Sequence, residues 1–229
     1  ESSALASQAA RPETSSVEQA SQPTDSTVSS LLALTPEKED TYRMLGLLLA
    51  EASAARESGE GTLYLEGDHI KIYQEEIDYL AASGQATARE WDMDPEEWAV
   101  RQIKIQTAFC WAAEQEGLEI DQALLDRSLE TASQQFVNPE DELFYPGNML
   151  MIEGSGLSQQ EFLACYMDWG RRDYIAGEYA DSKFSQWQAT WEQTEASQVE
   201  SWTDGINSTV NAAWAEEQLR MAEEILAAD

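Results

Sequence analysis

Histidine and cysteine are the scarcest chemistry in this 229-residue chain, which has one His and two Cys. Nucleophilic catalysis needs a base poised near neutral pH, and His69, the single candidate, sits in a predicted turn distant in sequence from both cysteines. Cys110 and Cys165 make no CxxC pair and no zinc set. They fall in two different predicted helices, as inert core thiols or as one disulfide in an exported chain. Basic residues are also few: 13 against 44 acids, for a net charge of −31 at pH 7. Such a surface repels phosphate backbones and anionic headgroups over a Debye length of about 8 Å, so neither nucleic acid nor a membrane surface is an expected partner. A basic partner would be attracted, although acids also keep an exported protein solvated. Long apolar runs are missing as well. The most apolar stretch, Met44–Ala50, is far shorter than the ~18 residues a spanning helix needs, so direct membrane insertion of the mature chain is not expected.

Carboxylates are abundant, yet abundance weakens any single pair. Asp92/Asp94, Glu96/Glu97 and Glu75/Glu76 could supply glycosidase-type acids, but with 44 acids in the chain such pairs are expected on solvated helix faces. No loop follows the EF-hand spacing. The sequence is therefore read as non-enzymatic, with no cofactor and no metal site.

The opening residues are rich in Ser, Thr, Ala, Gln and Pro without apolar period, the composition of a flexible spacer. Residues 1–35 are read as a disordered tether and 36–229 as a single helical domain. Glu1 in first place suggests a processed, exported chain held by an anchor upstream. From there the pattern is helical. Thr35-Pro36-Glu37 offers a cap, a Pro at N1 and an acid in the first turn, followed by Tyr42, Leu45, Leu48, Leu49 and Ala52. Leu63, Leu65, Ile70 and Ile72 then alternate with polar neighbours around Glu66-Gly67-Asp68, which predicts a hairpin with Gly67 at positive φ. A short helix over Gln74–Ala82 precedes a Ser83-Gly84 break. Asp94-Pro95-Glu96-Glu97 opens a long helix carrying Trp98, Ile105, Phe109, Ala112 and Ala113, which stops at Gly117. Asp121 caps the next helix. Tyr145-Pro146-Gly147 and Gly154-Ser155-Gly156 read as punctuation of a long turn region. Ser158 caps a fifth helix through Phe162, Cys165, Tyr166, Trp169 and Tyr174; a polar Trp-bearing stretch leads to a last helix from about Ile206. The fold class is all-α, with about six helices and one short β-hairpin.

The order of elements resembles the chaperone module of SurA and PrsA. The residues that carry the likeness are Leu65-Glu66-Gly67-Asp68, Ile72-Tyr73-Gln74-Glu75-Glu76-Ile77 and the run Ala112 to Asp121, followed by the Ser158-capped helix. Two departures are visible: His69-Ile70-Lys71 lengthens the turn, and Tyr73 stands where that family has Ser or Thr. The resemblance implies a helical cradle of the SurA N-terminal and trigger-factor C-terminal type, binding unfolded or extended polypeptide segments outside the cell or in the cell envelope. The parvulin isomerase domain of many relatives, with its paired histidines, has no counterpart here.

Of the eight Trp, Trp98, Trp111 and Trp214 lie on or beside apolar helical faces and read as structural. Trp187, Trp191 and Trp202 sit among Gln, Ser, Thr and Glu. With Tyr166 and Trp169 they are the candidate peptide-binding residues, lining a groove or else packing the last helix onto the body. The leading reading is a non-catalytic, chaperone-like peptide-binding module of a tethered exported protein. The alternative is a structural or adaptor lipoprotein docking one folded partner; a hydrolase using scattered carboxylates would need a deep pocket with two converging acids.

Overall fold

Helix starts in this chain follow their capping residues. The computed structural model describes residues 34–194 and 205–229; most of the predicted tether and Trp202 lie outside the described residues. The order is α1 (Pro36–Ser58), β1 (Leu63–Glu66), β2 (Lys71–Tyr73), α2 (Gln74–Ser83), α3 (Gln85–Glu90), α4 (Pro95–Gln115), α5 (Gln122–Phe136), α6 (Tyr145–Ser155), α7 (Gln159–Thr194) and α8 (Gly205–Ala228). Thr35 accepts the Lys38 N–H at 3.3 Å, Asp94 accepts from Glu96 and Glu97, and Asp121 accepts from Leu124, each satisfying a first-turn N–H that has no partner inside its helix. Gly59, Gly117 and Gly156 then take positive φ where helices close. Among the described residues the protein is mainly helical with one two-stranded antiparallel sheet, as its periodicity predicts.

Helix α4 lies at the centre. It packs on α2, α7 and α8, while α1 packs on α2 and α6, and α5 rests on α7. Three apolar clusters follow. Phe109, Ala112 and Ala113 of α4 meet Ala176, Tyr179 and Ala180 of α7 and Ala222 of α8. Ile72 and Ile77 meet Ala99 and Ile103. Leu49, Phe136 and Phe162 join α1, α5 and α7.

Between the clusters sits a buried charge network. The Glu76 side chain is fully buried and accepts from the Arg172 guanidinium at 2.7 Å, with Arg56 at 3.6 Å on the same oxygen. Arg172 also donates to the Thr107 hydroxyl at 3.1 Å, and Arg56 pairs with Asp168. Burial, and after it the charge of Arg172, hold the Arg56 guanidinium below its ordinary pKa, against the pull of Glu76. The network ties α1, α2, α4 and α7 together.

The structure corrects four local expectations. Residues 145–155 form helix α6 rather than turn. Its glycines allow two backbones to touch: a Cβ on Gly154 would stand 2.1 Å from the Arg43 carbonyl oxygen, and one on Gly147 would stand 2.6 Å from the Tyr42 ring. Gly46 on α1 completes the seam, 1.8 Å from the Met151 oxygen on the same test. Pro146 is tolerated because it falls in the first turn. Second, Gly67 is not at positive φ. It makes room for Asp229, whose carboxylate accepts the His69 and Ile70 N–H groups and would lie 2.2 Å from a Cβ on residue 67. Third, the Ser83-Gly84 break is followed by another helix, α3, and eight helices are present among the described residues rather than about six. Fourth, the polar stretch after Ala180 continues α7 to Thr194. Cys110 and Cys165 are free thiols.

Candidate binding cleft

On α4, Trp98, Gln102, Ile105 and Gln106 recur at helical spacing and so share one face. On α7, Trp169, Asp173, Ala176, Gly177 and Ala180 do the same. The two faces, with Leu80 of α2 and Gln218 of α8, enclose a cleft of about 340 Å³. A shallower recess of about 70 Å³ shares Trp98, Gln102, Ile105 and Gln218 and extends the cleft to Trp91 and Met93. Small residues on α7 create the space: a Cβ on Gly177 would meet nothing within 4 Å.

Both indole walls are held from behind. Trp98 lies against Gly84, where an added Cβ would stand 1.9 Å from the ring, so this seat requires glycine at 84. Trp169 takes the edge of Tyr79 at 4.8 Å between centroids and 76° between planes, and the Arg172 guanidinium lies 5.6 Å from its centroid. Burial pushes the Tyr79 hydroxyl up to about 12, with the nearby Tyr166 adding to the shift. The Glu76–Arg172 pair thus fixes one wall of the cleft as well as the core.

Gln106 lies in the cleft lining, 6% exposed, and its Oε1 has no hydrogen-bond partner. A buried acceptor left unmade costs about 1–3 kcal/mol. Gln102 and Gln218 add amides, and Asp173 is the one acid among the lining residues. The chemistry offered is aromatic contact plus hydrogen-bond acceptance. Cys110 does not add a nucleophile: burial pushes its thiol pKa up, and its Sγ donates to the Arg172 carbonyl at 3.2 Å. His69 stacks on Trp111 at 5.1 Å, and among the described residues no group of His, Cys, Asp and Glu could hold a metal.

The residues singled out in sequence are not brought together. Trp169 lines the cleft. Tyr166 packs on Phe136 at 4.7 Å in the α1–α5–α7 cluster. Trp187 lies on the same helix as Trp169 but about five turns away, roughly 27 Å along the axis. There it packs on Trp191, Phe184 and Trp214 at 6.0, 5.8 and 4.9 Å, and Trp191 is only 9% exposed. These rings join α7 to α8. Sequence reasoning missed Trp91, Gln102, Gln106, Gly177 and Gln218, and took Trp98 as structural. The available signals were two glutamines on the apolar face of α4 and a glycine in mid-helix.

No protein-family model, curated protein or solved structure matches this chain.

Proposed function

We propose that this chain is a non-catalytic, chaperone-like module that binds extended or unfolded polypeptide segments, acting outside the cell or in its envelope from a tether formed by its first 35 residues. The observation that carries the reading is the cleft itself. Two indoles held rigidly from behind face an open space beside Gly177, and a buried amide oxygen there has no partner. Aromatic surface tolerates many side chains, and glutamine amides match the donors and acceptors of an extended backbone. The sequence resemblance to SurA and PrsA modules points the same way.

The test is suppression of aggregation of a reduced, unfolded model protein by the full chain, followed alongside intrinsic Trp fluorescence. Suppression near stoichiometric ratio, lost in Gly177→Leu, is the expected result. No suppression with several clients would overturn the reading in favour of an adaptor docking one folded partner. That second reading has its own support in Leu143 and Phe144, which are 57% and 58% exposed between α5 and α6.

A further inference from the structure

We propose that the Trp98–Trp169 cleft is an anchor pocket for one cationic side chain, Lys or Arg, of the bound segment; this rests on the peptide-binding reading above. At about 340 Å³ the space is at the small end of ligand pockets, suited to one long side chain with its main chain crossing the rim. The walls fit an amphipathic chain: Trp98, Leu80, Ile105 and Ala176 receive an aliphatic stem, while Asp173 and the glutamine amides of the lining receive a cation at its end.

The charges around the cleft decide its sign. Arg101, in the adjoining recess, pairs with Glu216, and Arg172, above Trp169, pairs with Glu76. Asp173 is left in the lining, and among the described residues no Lys or Arg pairs with it. Gln106 Oε1 is an acceptor without a donor, and both Lys and Arg are donors only. The net charge of −31 draws a basic segment from a distance and repels an acidic one. An aliphatic side chain would leave Asp173 and Gln106 as they are; an acidic one would add repulsion to both.

The experiment uses the full chain and unstructured Ala-Ser peptides with a single central Lys, Arg, norleucine or Glu, titrated by Trp fluorescence and calorimetry. The Lys and Arg peptides should bind at least about tenfold more tightly than norleucine, with Glu weakest. Their advantage should shrink in Asp173→Asn and at high salt, and all binding should vanish in Gly177→Leu. Norleucine binding as tightly as Lys, still blocked by Gly177→Leu, would overturn the cationic anchor and leave the peptide-binding reading standing. Binding of no peptide, or binding indifferent to Gly177→Leu, would overturn both.

Discussion

Two aromatic regions lie along α7, and they serve opposite ends. Near its C-terminus, Phe184 and Trp187 close on Trp214 of α8, ring against ring, and the buried Trp191 stacks on Trp187. Toward its middle, Trp169 faces Trp98 across the space that Ala176, Gly177 and Ala180 leave open. The same residue type is cement in one place and wall in the other. Polar neighbours in the sequence do not separate the two cases, since the Trp187 stretch is the more polar and yet buries Trp191, even though Trp187 also borders an open recess of about 380 Å³. What separates them is the ring-on-ring packing around Trp187 and the small residues beside Trp169. A third indole opposes Trp187, whereas Gly177 and a buried glutamine lie in the lining with Trp169.

The comparison can be broken by mutation. The largest effect is expected for Glu76→Ala, which leaves Arg56 and Arg172 facing each other in the core and costs about 3–5 kcal/mol in denaturant unfolding. Because Arg172 also lies over Trp169, the cleft loses its wall in the same variant, whereas the Trp187 cluster keeps its rings. Trp191→Ala should cost about 3 kcal/mol in denaturant unfolding by removing the buried ring on which Trp187 stacks.

Tyr79, edge-on to Trp169, gives an alkaline test. Its folded pKa of about 12 stands above the ordinary 10.0, so its contribution is complete below pH 10 and is lost as pH rises through about 12. That loss amounts to about 2–3 kcal/mol. A tyrosinate absorbance titration should show a late-titrating group that disappears in Tyr79→Phe.

Smaller effects should be gains. Gln106→Met removes a buried acceptor that has no partner and should stabilise the fold by about 1 kcal/mol while weakening peptide binding. Gly177→Leu should add up to about 1 kcal/mol from helix propensity and fill the cleft, separating stability from function by moving them in opposite directions. Thermal unfolding beside peptide titration checks both.

Much of the fold was legible because its signals are local. Thr35-Pro36 and Asp94-Pro95 announce α1 and α4 by capping geometry alone, and the alternation from Leu63 to Ile72 announces the hairpin. Helix α6 was not legible, because Gly147 and Gly154 read as turn residues unless Tyr42, Arg43 and Gly46 are known to lie against them. Gly67 failed for the same reason, its partner Asp229 lying at the far end of the chain. The cleft was half legible. Trp169 could be named from its amphipathic character. Trp98 could not be moved from core to wall without knowing that Gly84 backs it and that the space beside Gly177 faces it.

The most direct measurement is two-dimensional NMR of the indole N–H groups while an unfolded client segment is titrated in. Shifts at Trp98 and Trp169, with Trp187, Trp191 and Trp214 unmoved, are what the cleft assignment predicts; shifts confined to Trp187, Trp191 and Trp214 would contradict it.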